Sequence, residues 1–157
     1  MNRFIFYLRM KRLMASSKLL CVALLLALLA SGCSFNRAWN AAAATPVPAN
    51  DIQGRWQGTW VSEANAHTGR LRCLVTKLED GKYQARYHAI YRKVLGFGYT
   101  AALDTTQTND VFEFSGAADL GWAGGVYHYE GKANTTNFYS TYQSKFDHGM
   151  FQMSRPQ

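Results

Sequence analysis

The stretch YQARYHAIY, residues 83–91, most restricts what this chain can become. In an extended strand Tyr83, Ala85, Tyr87, Ala89 and Tyr91 share one face, and Gln84, Arg86, His88 and Ile90, with Arg92 beyond them, share the other, because successive side chains point to opposite sides of a sheet. The first face alternates large and small residues, the way a small barrel fills a tapering interior. From Asp51 onward the chain repeats this theme in short segments rich in Tyr, Phe, Trp, Val and Thr, punctuated by Gly, Asn and Asp. Candidate strands are 54–62, 70–78, 83–91, 97–105, 111–116, 125–133, 137–145 and 149–155. No segment of useful length shows a helical period. EDGK at 79–82 and TND at 108–110 are hairpin signals, since Gly, Asn and Asp accept the left-handed conformations of tight turns.

Extending the period-2 rule gives an inward set. It comprises Trp56 and Trp60; Leu71, Cys73 and Val75; Tyr99 and Leu103; Phe112 and Phe114; Tyr127 and Tyr129; Phe138, Tyr142 and Phe146; and Phe151 and Met153. Each such side chain contributes about 1.5–3 kcal/mol when fully buried, so the set can hold a domain without disulfides. A sheet of this kind must hide both its edges and its apolar face, and closure does both. The expectation is an all-β domain over 51–157: a small antiparallel up-and-down barrel of about eight strands, with rim loops or bulges around ADLGWAGG. Trp122 in that segment either folds over the barrel mouth or stands exposed for contact.

The N-terminal third is of another kind. Arg3, Arg9, Lys11, Arg12 and Lys18 precede an uncharged apolar run from Leu19 to Ala30, a basic region followed by a hydrophobic one, as in an export signal. The run is well short of the about 20 residues a spanning helix needs. Met14 would open a shorter signal, MASSKLLCVALLLALLASGC. Five of the 17 basic residues lie in this leader, and the twelve that follow nearly balance ten acids; no concentrated basic footprint for nucleic acid remains. Residues 34–50, SFNRAWNAAAATPVPAN, lack a strand pattern and read as a flexible tether of about 20 Å. Trp39 within it is either an aromatic resting at a lipid interface or an idle one.

Ala30-Ser31-Gly32-Cys33 resembles the bacterial lipobox, with Ala30 where that motif usually carries Leu. The resemblance implies a signal peptide over 1–32, a diacylated Cys33 as mature N-terminus, a lipidated tether over 33–50, and a protein moored in the cell envelope. Ser34 after the cysteine implies the outer membrane, facing the periplasm. With Cys21 removed and Cys33 acylated, Cys73 stands alone, so no internal disulfide forms and Cys73 reads as a small buried hydrophobe.

GRWQGTW at 54–60 resembles the G-x-W opening of lipocalin-type barrels. Gly54, Trp56 and Arg155 match in kind and order the residues that close such a barrel, an arginine stacking on the tryptophan. The segments GRLRCLVTK, FGYT, DLGWAGGVYHYEGKA and FYSTYQSKFDHGMFQMSRP resemble those of a family of small exported proteins of planctomycete and verrucomicrobial bacteria. To that family no activity is attached, so it implies a domain boundary and no mechanism.

Motifs for chemistry are sparse. His67, His88, His128 and His148 lack zinc-ligand spacing, and no nucleophile elbow, H-E-x-x-H or P-loop is present. Asp119 or Glu130 could pair with His128 or His148 only if the fold converged them. The DHG turn at 147–149 reads as turn chemistry, Asp147 accepting local backbone bonds and Gly149 taking an unusual φ. No enzyme, metal or cofactor is expected. Two functions remain: a protein-interaction or structural module with an envelope partner, as lipid-anchored lysozyme inhibitors exemplify by architecture; or capture of a small apolar or amphipathic ligand by Tyr87, Tyr99, Trp122, Tyr127, Tyr129 and Tyr142.

Overall fold

In the computed structural model residues 34–92 and 95–157 are described, together with all side chains among them but that of Ala123. The leader and Cys33 lie outside the described residues. Contacts divide the chain into Met1–Asn36 and Arg37–Gln157, the second holding the whole sheet.

Eight strands follow one another in a single antiparallel round: β1 Gly54–Ser62, β2 Thr68–Lys77, β3 Tyr83–Tyr91, β4 Leu95–Thr108, β5 Val111–Asp119, β6 Val126–Ala133, β7 Asn137–Gln143 and β8 His148–Ser154. Each pairs with the next, and β1 pairs with β8, so the sheet is a closed barrel without an edge. Helix appears as α1, residues 34–41, and as one turn, α2, Gly121–Gly124, between β5 and β6. In such a barrel the connections after β1, β3, β5 and β7 gather at one end, here called the mouth. Those after β2, β4 and β6 gather at the other, the base.

The inward register is the alternating one. On β3 Tyr83, Ala85, Tyr87 and Ala89 are buried while Gln84 is exposed and Arg86, His88 and Ile90 are half-exposed. Cys73 is fully buried, paired with Trp56 on one side and Tyr87 on the other, and burial pushes its thiol well above the usual range. Gly81 in the β2–β3 turn and Asn109 in the β4–β5 turn both take positive φ, as the hairpin signals require.

Four differences from the sequence reading have physical causes. Strands β4 and β5 run to Thr108 and Asp119, because their pairing continues through residues too small or polar to mark a strand. Phe146, counted inward, is 60% exposed: β7 stops at Gln143 and Phe146 stands in the turn that follows. Gly149 has ordinary φ and sits inside β8; a Cβ there would lie 2.0 Å from the carbonyl oxygen of Val61, so close strand approach, not turn geometry, demands glycine. Where the sequence reads as a flexible tether, residues 34–41 are helical and Trp39 is buried, with the guanidiniums of Arg55 and Arg72 5.4 and 5.3 Å from its ring centre.

The core changes character along the barrel axis. Its lower half is mostly hydrocarbon, Tyr83 being the one phenol there: Trp56 packs on Phe138 at 5.5 Å between centroids and Phe138 on Phe114 at 4.8 Å, with Leu103 and Val75 in the same core. The upper half is phenolic: Tyr87, Tyr99 and Tyr129 form a stack with centroids 5.0–5.9 Å apart, continued by Tyr127 and Tyr142.

Candidate functional site

The base is sealed. Gly54 enters β1 with φ +102°, and a Cβ there would stand 3.1 Å from Arg155 Nη1. That room lets the Arg155 guanidinium settle 3.8 Å over the Trp56 ring. Its N–H groups donate to the carbonyls of Gln53 at 2.6 Å, Asp51 at 3.0 Å, Thr135 at 3.1 Å and Arg55 at 3.4 Å. Burial lowers the Arg155 pKa to about 10; four carbonyl acceptors and a ring face hold the cation in place against that cost. Trp56 is fully buried and donates its indole N–H to the Ile52 carbonyl at 2.8 Å. The three residues expected to close the barrel thus meet at one point.

The mouth differs. Between β1, β3, β4, β6, β7 and β8 lies a cavity of about 110 Å³. Tyr99, Tyr127, Tyr129 and Tyr142 line it, with Trp60, Phe97 and Phe151, and Asp147 is the one carboxylate on its wall. Tyr87 lies below it in the stack, and Trp122 is apart from it, 99% exposed on α2. Of the six tyrosine and tryptophan candidates the fold therefore unites four. Trp60, Ala89, Phe97, Leu120, Asp147 and Phe151 were missed as site residues: Trp60, Ala89, Phe97 and Phe151 are apolar positions like others in their strands, Leu120 lies in the segment read as a rim loop, and Asp147 reads as a turn residue.

Asp147 is held from far along the chain. Its carboxylate accepts from Ser62 Oγ at 2.6 Å and from the Tyr142 hydroxyl at 3.3 Å, which replaces the local backbone bonding expected of it. Ser144 supplies the local turn instead, its Oγ accepting from the amides of Phe146 and Asp147. No ion pair to Asp147 occurs among the described residues. Burial, then the Asp147 charge, raises the Tyr142 pKa far above that of a free phenol, and burial does the same to Tyr87, Tyr99 and Tyr129. These hydroxyls are neutral dipoles at any physiological pH. Among the described residues the Tyr87 hydroxyl and the Trp60 indole N–H have no hydrogen-bond partner.

Around the cavity the rim is apolar. Leu95, Phe97, Val126 and Phe146 are each between 46% and 61% exposed, and Trp122 stands almost entirely in solvent. Leu95 and Phe97 continue the inward register of β4, Tyr99, Ala101 and Leu103, past the buried part of the barrel.

The histidines and acids do not converge. His67 contacts the Tyr91 hydroxyl at 3.2 Å, His128 and His148 are exposed, and His88 is on the outer wall, its pKa lowered by burial and by Arg72 and Arg86. Asp119 accepts from the Gly121 amide at 2.8 Å and shapes the β5–β6 turn. Among the described residues no three His, Cys, Asp or Glu side chains group as metal ligands would.

Fold and site together define a class: a closed eight-stranded antiparallel up-and-down barrel, sealed at its base and apolar at its mouth. Comparison with protein-family models, with curated proteins and with solved structures gives no match to this chain.

Proposed function

We propose that this protein is a lipid-anchored envelope barrel that docks a partner protein with its mouth. The observation that carries the reading is the exposure of Leu95, Phe97, Trp122, Val126 and Phe146 at one end of the barrel. Monomeric proteins seldom leave such apolar clusters without a use, and exposed aromatic side chains are the usual anchors of a protein interface. The lipobox resemblance around Cys33 supports mooring by acyl chains, most simply at the outer membrane facing the periplasm. The likeness to exported planctomycete and verrucomicrobial proteins, and the lipocalin-like G-x-W opening, agree with an exported barrel and supply no chemistry.

The test is retention of a specific envelope protein by the full chain in its native host, with a photo-reactive residue at position 122 and, as control, at Asp80 near the base. A partner crosslinked through 122, and lost when Phe146→Ala is added, is the expected result. Crosslinks of equal identity from both ends, or none from 122, would overturn the docking end. Mass spectrometry of the mature N-terminus checks the anchor separately, since an unacylated Cys33 removes that half of the proposal.

A second reading, binding of a small amphipathic ligand, is favoured by the cavity. Its about 110 Å³ is well below the roughly 300–1,000 Å³ of pockets that enclose whole ligands. What enters is a head group, with the rest of the molecule outside.

A further inference from the structure

The cavity in the mouth has a composition that selects among head groups. Seven of its ten lining residues are aromatic: Trp60, Phe97, Tyr99, Tyr127, Tyr129, Tyr142 and Phe151. The single charge is the Asp147 carboxylate. Rings present electron-rich faces, and a cation enclosed by several of them is attracted by each. The carboxylate adds an opposite charge where water is partly excluded, so its field is less screened than at the surface. No cation of the protein reaches it among the described residues. Among the described residues, two basic side chains near the rim lie on rings of their own, Arg92 over Tyr91 at 5.3 Å and Lys145 over Phe146 at 5.8 Å.

We propose that the mouth cavity is an aromatic cage for a methylated ammonium head group, with Asp147 as its counter-charge. This inference rests on the small-ligand reading and names the ligand class. At about 110 Å³ the space is smaller than the about 150 Å³ of an apolar cavity that takes benzene, so the head group is only partly enclosed, its methyl groups seated in the opening against the rim rings Phe97 and Tyr127.

Hydrogen bonding decides between a methylated and a bare ammonium. A bare ammonium carries three donors and needs acceptors for them. Here each Asp147 oxygen already accepts once, from Ser62 and from Tyr142; the places left on that one carboxylate lie on one side of the cavity, and the rest of the wall is ring faces and phenols, so three N–H donors aimed apart are not all met. A methylated ammonium asks for no acceptor; its charge is spread over methyl groups that fit against rings. Its remaining substituent leaves past Phe97, which is half exposed at the rim.

The experiment titrates the full chain, held in a maltoside detergent so that no phosphocholine competes, with choline, with its neutral isostere 3,3-dimethylbutan-1-ol, and with ethanolamine. Binding is read from the NMR signals of the aromatic rings. Choline is expected to move the signals of Tyr127, Tyr142 and Phe97, and to bind at least tenfold more tightly than either comparator. Asp147→Asn, which keeps the acceptor for Ser62, should weaken choline about tenfold and leave the neutral isostere unchanged. Tyr127→Leu, outside the hydrogen-bond network, should weaken choline several-fold even if Asp147→Asn fails to fold. Equal binding of choline and the isostere would overturn the cage while sparing the small-ligand reading. Failure of all three to bind would end both.

Discussion

Three tryptophans distinguish the two ends of this barrel. At the base Trp56 is fully buried, bonds its indole N–H to Ile52, and lies under a guanidinium whose donors are met by four carbonyls. At the mouth Trp60 keeps its N–H without a partner among the described residues, and Trp122 is 99% exposed. Polar groups that are buried and paired favour the fold, whereas orphaned donors and exposed rings do nothing for it. The contrast teaches that stability is concentrated at one end and contact chemistry at the other.

Alkali should test the contrast most severely. In the upper half Tyr87, Tyr99, Tyr129 and Tyr142 are raised above the ordinary value of 10.0, and Tyr83 near the base is pushed up to about 12 by burial and then by Asp51. A tyrosine whose folded pKa exceeds its unfolded one gives stability that is complete below pH 10 and is lost as pH rises toward and past the folded value. The barrel should therefore hold these five buried tyrosines, Tyr83, Tyr87, Tyr99, Tyr129 and Tyr142, un-ionised at pH 11 and lose its fold above pH 12. Tyrosinate absorbance followed with circular dichroism checks this; ionisation of these five near pH 10 with the fold intact would mean a mouth filled by water instead of packed rings.

Next in size is Trp56→Ala, expected to cost about 3–5 kcal/mol in urea unfolding, since it empties the base. Arg155→Ala removes the ring contact and four hydrogen bonds but leaves the indole buried, so about 2 kcal/mol is expected by the same assay. Smallest is Trp122→Ala, within about 0.5 kcal/mol of the native protein because nothing packs on the ring. If that substitution proves as costly as Trp56→Ala, the two ends are not divided as described.

Much of the barrel was legible because burial on one face only writes itself into a strand as alternation. β1 and β3 match their expected limits to the residue, and the stacked tyrosines fall on the expected side. Alternation carries no punctuation, however. It runs unbroken from Tyr142 to Phe146 although the chain turns between them, and it fades in β4, where glycine, alanine and threonine replace large apolar markers. α1 escaped because residues 34–41, SFNRAWNA, show no helical period to read, and tertiary contacts of Trp39 accompany it. The site was half legible for a related reason. Facing inward is a local property, but height along the axis depends on how each strand is offset from its neighbour. That offset separates Tyr87 from Tyr99 and Tyr127 as cavity walls, and it brings Asp147 beside Ser62 across most of the domain.

The pairing of β1 with β8 joins Gln57 to Ser154 and Ser62 to Gly149. Every other pairing can zip up between neighbours in sequence, but this seam must wait for the last strand to arrive. Until it does, two strands offer unsatisfied backbone to any passing chain, and closure over so long a loop is slow. A copy shortened before His148 would be left with that seam permanently open, and it would be a seed for clumping, not a smaller version of the same protein.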